Sequence, residues 1–356
     1  MKDLDPLSRR QLLGGAVQLA GLGLVPTLLA PAAQAQQNSP GPAIGDPPAP
    51  VPVRPGAWLV LLGTRGGPGI DPTRSQTASA VVVDGTPYLI DCGYGTVRQL
   101  VASNVGFLRL NTVFFTHLHD DHTGDLAALL SFQWTDGKTT PTDAYGPFGT
   151  ARLVAAAVAF CSANVEIRTV DEGRSGRADA QFHGHDIVAT ATPGQMFKDE
   201  RVTVTAVESA HYPPRSTAKM PHRALCLRFD TGNRSIVFSG DTAYSGNLVK
   251  LARNADVLVC EIMDQGVREQ MEERSRAAIA AGNPNNIFRH VAETHSSPAD
   301  VGRMAAEAQV KTVVLNHQLP GSASPGGLAY PITTFIAGVR EVFKGEVIVG
   351  QDLMVL

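Results

Sequence analysis

From residue 57 onward the chain is written as short apolar runs separated by turn residues. Segments 58–62, 78–83, 88–90 and 112–115 are rich in Val, Leu, Ile and Phe and are set off by Gly66-Gly67-Pro68-Gly69 and Asp84-Gly85. Such runs between glycine-rich breaks predict strands joined by turns, and the stretch 96–102 among them predicts a helix. The second half repeats this grammar. Strands are predicted over 202–207, 224–229, 235–238 and 257–260, helices over 266–281 and 298–308, and a further strand over 312–315. Two strand-rich halves, each with flanking helices, predict an α/β fold of two sheets packed face to face with helices outside. No short-period repeat of the solenoid kind is present.

The first 56 residues follow a different pattern. Ser8-Arg9-Arg10-Gln11-Leu12-Leu13 precedes a Gly/Ala/Leu-rich segment that ends in Ala33-Gln34-Ala35, so residues 1–35 resemble a twin-arginine signal peptide. Gln18, Pro26, Thr27 and Pro31 interrupt its apolar part, and no permanent membrane anchor is expected. The resemblance implies export of the folded protein by the twin-arginine machinery to the periplasm. Residues 36–56 are rich in Pro, Gly and Gln and carry too little apolar surface to pack, which predicts a linker or an arm. Residues 57–356 remain as the folded domain.

Composition narrows the partners. The formal net charge is −3, with 30 Lys and Arg against 33 Asp and Glu, and no basic block stands out. On that balance no stable nucleic-acid complex is expected. Cys92, Cys161, Cys226 and Cys260 are far apart and lack C-x-x-C pairing, so they are expected as buried free thiols.

The candidate chemistry sits at strand ends. Of ten histidines, three fall within Thr116-His117-Leu118-His119-Asp120-Asp121-His122, directly after an apolar run. His117 and His119 point to one side of an extended segment, and Asp121 and His122 follow where the chain turns. His211, Asp241 and His317 each stand at the end of another apolar run. Imidazole and carboxylate together suit zinc, and a centre of two zinc ions can hold a bridging hydroxide as nucleophile. Asp120 and Asp125 are expected as solvated or supporting groups. His183 and His185, flanking Gly184, are expected on a surface turn. Phe132, Trp134 and Tyr212 are candidates for an aryl pocket or for ordinary packing.

His-x-His-x-Asp-His, then His, then Gly-Asp-Thr, then His resembles the metal signature of the metallo-β-lactamase superfamily. The resemblance implies a four-layer αββα sandwich of two mixed β-sheets. It implies that His117, His119 and His211 hold one metal, that Asp121, His122 and His317 hold the other, and that Asp241 bridges them. Histidine at 119 differs from the glutamate usual in flavo-diiron proteins, and aspartate at 241 from the cysteine of several β-lactamases. Leu61-Leu62-Gly63-Thr64, Tyr145-Gly146-Pro147, the segment 234–242 and His295-Ser296-Ser297-Pro298 are similar to the ribonuclease Z and arylsulfatase branch. In that branch Glu261 would orient His295, a general acid or anion-stabilising donor. Ser297 would also cap a helix beginning at Pro298.

Export, negative charge and the lack of a Gly/Pro/Lys-rich arm between Ala151 and His211 select, within that branch, an arylsulfatase-like hydrolase of a small anionic sulfate ester. Phosphodiesterase activity on aryl or nucleotide diesters is the alternative, followed by ribonuclease Z-like and lactone or β-lactam hydrolysis, and then by a metal-binding protein without turnover. Asp121, His295 and Glu261 are the expected catalytic set, and a homodimer is compatible with the sequence.

Overall fold

The computed structural model describes residues 55–319 and 332–356. The signal-peptide reading of 1–35, and all but the last residues of the 36–56 linker, lie outside them.

Among the described residues, thirteen strands form two sheets. The first sheet runs β1 (Ala57–Gly63), β2 (Ala78–Val83), β3 (Thr86–Ile90), β4 (Thr112–Phe114), β5 (Thr142–Gly146) and β6 (Phe182–Asp186), in that spatial order. Its first three strands pair antiparallel and the rest parallel. The second sheet is built from β7 (Gly194–Lys198), β8 (Val202–Glu208), β9 (Leu225–Thr231), β10 (Ser235–Phe238), β11 (Val257–Met263), β12 (Thr312–Leu319) and β13 (Glu346–Val349). It changes from antiparallel to parallel at β10.

Each inner strand is apolar on both faces because both faces are covered. In β1, Leu59 and Leu61 enter the core between the sheets, while Trp58, Val60 and Leu62 enter the core beneath the outer helices. A third core lies beneath the helices on the second sheet, around Val237, Leu258, Val301 and Val313. Helix, sheet, sheet and helix are therefore stacked as four layers, as the family resemblance implied.

The elements with strong apolar runs fall where the pattern places them, and β2, β10 and the helices Thr96–Ala102 and Pro298–Ala308 keep the predicted bounds. Strands β5, β6 and β7 carry no such run, and β6 and β7 are sheet edges, where polar residues face solvent and the alternation is diluted. Strand β13 holds the short run Val347-Ile348-Val349, which the sequence reading passed over. The expected surface turn at His183 and His185 is corrected: both lie in edge strand β6, and His185 Nε2 is 2.7 Å from Asp143 Oδ1 on β5. Gly184 between them is not a turn glycine. A Cβ there would lie 2.6 Å from Ala151 Cα, so its absence lets the helix Thr150–Phe160 pack on the strand. All four cysteines are buried free thiols.

Candidate metal centre

The site forms where strands of both sheets end. Beyond β4, the backbone N–H of Thr116 donates to Asp91 Oδ1 at 2.8 Å, which fixes the start of the histidine-bearing loop. His117 and His119 emerge on one side, with His117 Nε2 and His119 Nδ1 3.0 Å apart. Asp121 and His122 occupy the first turn of the short helix Asp120–Thr123. The loops after β8 and β10 bring in His211 and Asp241.

His317 is placed by a local irregularity. Glu261 pairs with Asn316 and Ile262 with Gln318, so His317 is the extra residue of a β-bulge, with a positive φ of 39°. A bulge turns one side chain out of the strand alternation, and here it turns the imidazole toward Asp121 and Asp241. Gly67 is needed for a close approach: its N–H donates to Asp121 Oδ2 at 2.7 Å, and a Cβ there would meet that carboxylate at 2.2 Å.

The seven residues expected as ligands gather in two groups that share one carboxylate. His117, His119, His211 and Asp241 offer atoms all within 4.8 Å of one another, and so do Asp121, His122, Asp241 and His317. Each oxygen of Asp241 faces one group. Its Oδ1 lies 3.2 Å from both His122 Nε2 and His317 Nε2, and its Oδ2 lies 3.7 Å from His117 Nε2 and 3.9 Å from His211 Nε2. His122 Nε2 and Asp241 Oδ1 are buried with no hydrogen-bond partner. Such orphaned atoms are costly in a packed interior unless something else occupies their lone pairs.

Protonation points the same way. Burial holds His117 and His211 well below the ordinary imidazole value, so both are neutral and carry a free lone pair. Burial raises the Asp121 carboxyl, but the adjacent His122 and His317 outweigh it and keep the group ionised far into acid. Neutral imidazoles at His117 and His211 beside ionised carboxylates at Asp121 and Asp241 suit a divalent metal, typically zinc, whereas burial at His122 is outweighed by Asp241, Asp121 and Asp91, which raise that imidazole.

Around this set lie residues that the sequence reading missed. Asp91 Oδ2 accepts from His122 Nδ1 at 2.8 Å, which leaves Nε2 facing inward. A carboxylate on the outer nitrogen of a ligating histidine fixes its tautomer and orientation. Asp91 also stands at the end of an apolar strand, the same signal that marked Asp241. His290, on the helix Ile287–Thr294, had no such signal; its ring lies 4.8 Å from that of His211 and 5.6 Å from that of His119.

His295 Nδ1 donates to Glu261 Oε2 at 2.7 Å, both side chains being buried. Burial would lower this imidazole, but the Glu261 carboxylate dominates and pushes it up to about 9. Ser297 meanwhile caps the helix Pro298–Ala308 in a reciprocal box with Asp300, so the site and helix-start readings hold together. A cavity of about 220 Å³, lined by His119, Asp121, Asp241, His290, His295 and His317, opens the site to solvent.

The remaining candidates separate. Asp120 is exposed, and Asp125 accepts from Val97 N–H at 3.1 Å, supporting the helix Thr96–Ala102. Trp134 packs in the core and Phe132 is exposed, whereas Tyr212 sits 5.5 Å from the His119 ring.

Fold and cluster together describe a metal-dependent hydrolase. Residues 86–318 match the β-lactamase superfamily domain, and the chain belongs to that superfamily, in its ribonuclease Z branch. It is 30% identical to ribonuclease Z of Mycobacterium avium over 83% of this chain and 96% of that protein. Ribonuclease Z of Mycolicibacterium paratuberculosis is 29% identical over the same shares. Human tRNase Z, short form, superposes with a TM-score of 0.56 at 23% identity, covering 84% of this chain and 98% of that one. The metallo-β-lactamase fold protein YhfI from Bacillus subtilis superposes with a TM-score of 0.58 at 17% identity, covering 84% and 99%.

These relatives correct two expectations. The exported arylsulfatase-like hydrolase of sulfate esters gives way to a nuclease branch. The small anionic ester as substrate, with no stable nucleic acid, gives way with it. Those expectations rested on the export reading, on the missing arm between Ala151 and His211 and on net charge, and the last is a sum over the whole surface that does not report local charge.

Proposed function

We propose that the protein is a metal-dependent phosphodiesterase acting on RNA, with precursor tRNA as the first substrate to test. The observation that carries this reading is the pair of donor groups joined through Asp241, with His295, backed by the buried Glu261, lining the same cavity, in a chain of the ribonuclease Z branch. Zinc is the proposed metal, with two ions per chain. When bound, the metals supply charge that draws electron density from a phosphoryl oxygen and acidify a water at neutral pH.

The chain's own residues do the rest. His117, His119 and His211 present neutral nitrogens to one side, Asp121, His122 and His317 line the other, and Asp241 serves both. Water adds its oxygen to phosphorus and gives up a proton to solvent as the bond to the departing oxygen breaks. His295, held by Glu261, donates a proton or a charged hydrogen bond to that oxygen.

The test incubates purified protein, loaded with zinc, with precursor tRNA, bis(p-nitrophenyl) phosphate and an aryl sulfate. Cleavage of both phosphodiesters, abolished by chelator and restored by zinc, is the expected result. Hydrolysis of the sulfate alone would overturn the proposal.

Location is a separate proposal, resting on the twin-arginine resemblance of residues 1–35; export would carry the protein away from tRNA maturation, so precursor tRNA stands in the test above for RNA phosphodiesters as a class. Replacing Arg9 and Arg10 by Lys is expected to retain the folded protein in the cytoplasm. An unchanged distribution on cell fractionation would refute export by that route.

A further inference from the structure

A second cavity adjoins the first. It measures about 400 Å³ and is lined by His119, Tyr212, Arg215, Lys219, Asn285 and His290 among others, so His119 and His290 line both cavities. The rings of Tyr212 and His290 stand edge-on to His119, at interplanar angles of 80° and 83°, and form two walls beside the metal-ligand cluster. Beyond them the lining is basic. Arg215 Nη1 is 2.6 Å from Glu293 Oε2, but Glu293 is also held by Arg289 Nε at 2.7 Å, so one carboxylate is shared between two guanidiniums. Lys219 is exposed and forms no ion pair among the described residues. With Arg215, Arg289, Lys219 and Glu293, this corner carries a surplus of positive charge on a chain that is negative overall.

We infer that this groove is a subsite for a phosphate carried on the retained arm of a phosphodiester substrate. The inference rests on the phosphodiesterase reading above and gives it a polarity. His295 lines the first cavity and not the second, so the departing oxygen leaves through the first. The other ester arm of the same phosphorus then enters the second cavity past His119. There Tyr212 and His290 offer faces on which a base stacks, and Arg215 and Lys219 offer donors for the next phosphate of a chain. Arg215 and Lys219 are thus positioning residues: they hold the retained arm without touching the reacting atoms.

Two chromogenic substrates isolate this contact. Uridine 5′-(p-nitrophenyl phosphate) and the same compound bearing a 3′-phosphate undergo cleavage of the same bond and release the same p-nitrophenolate. They differ only in a phosphate on the retained arm. In the parent protein the 3′-phosphate is expected to raise kcat/KM by about tenfold, the size of one charged hydrogen bond, through KM and not kcat. The advantage should shrink as salt rises. It should fall to about unity in Arg215→Ala/Lys219→Ala, persist in Arg215→Lys, and grow in Glu293→Gln, where the competing carboxylate is gone. Each variant is judged by the ratio of the two substrates, so a general loss of activity does not imitate the effect. Equal hydrolysis of both substrates by the parent, or an advantage retained in the double variant, would overturn the subsite and leave the phosphodiesterase reading intact. Hydrolysis of neither substrate nor of bis(p-nitrophenyl) phosphate would overturn both.

Discussion

At the scale of single residues, Asp241 is where the two donor groups meet, because each of its carboxylate oxygens faces a different set of imidazoles. Replacing Asp241 by Ala is therefore expected to lower zinc content at both positions, whereas His211→Ala should weaken chiefly one. Elemental analysis after dialysis distinguishes them, and an equal loss of one ion in both variants would contradict a shared carboxylate. His295 calls for a kinetic test. If it assists the departing oxygen, His295→Ala should slow diesters with poor phenol leaving groups by about 10² to 10⁴-fold and those with good ones far less. The measurement is kcat/KM across phenols of graded acidity at unchanged zinc content. A uniform loss across the series would assign His295 to binding the anion or to holding its loop.

At the scale of elements, the second sheet is tied near the start of its parallel half by Asp256. Its carboxylate accepts from Ser235 N–H at 2.8 Å and Ser235 Oγ at 2.9 Å, and pairs with Lys311 Nζ at 2.6 Å, linking the starts of β10, β11 and β12. The Lys311 contact, with help from Ser235, outweighs the opposing effect of burial and lowers this carboxyl to about 2. A carboxyl depressed in the folded state stabilises fully above its unfolded value, near 4, and loses that contribution as pH falls through its folded value. Asp256→Asn should thus melt below the parent at pH 7, with the gap closing as pH approaches 2. A gap independent of pH would show that the contact acts through packing alone. The edge strands argue the complementary point: β6 is specified less by its own residues than by β5 and the helix Thr150–Phe160, which is why its His-Gly-His reads as a turn in isolation.

At the scale of the whole molecule, the two sheets are held by a core between them in which Phe114 is central. Its ring lies 5.8 Å from Tyr145, 5.4 Å from Phe197 and 5.2 Å from Phe229, so it joins both sheets. Phe114→Ala is expected to cost about 3–5 kcal/mol, from lost burial and the cavity left behind. The check is a denaturant titration of the zinc-free protein, and a loss under about 1 kcal/mol would mean that the sheets close over the gap. Phe114 is also only three positions from His117, so the core that joins the sheets also positions the loop that bears the cluster.

The sequence by itself determined the strands with long apolar runs, the four-layer class through its family resemblance, and the identity of the seven clustered side chains. These are legible because burial on both faces demands continuous apolar residues, and because a polar residue closing such a run is rare enough to stand out. Their division about Asp241 was implied by the same resemblance, and tertiary structure alone decided how they are held. The bulge at His317, the approach of Gly67 to Asp121 and the carboxylate of Asp91 behind His122 depend on chain segments meeting from distant positions, which no local pattern encodes. The same holds for polar edge strands and for His290, whose helix is brought to the site by the turn of the chain after β11. Charge is the clearest case. A net value read from composition excluded nucleic acid, whereas the basic groove beside His119 exists only because Arg215, Lys219 and the helix bearing Arg289 and Glu293 fold onto one corner of the molecule.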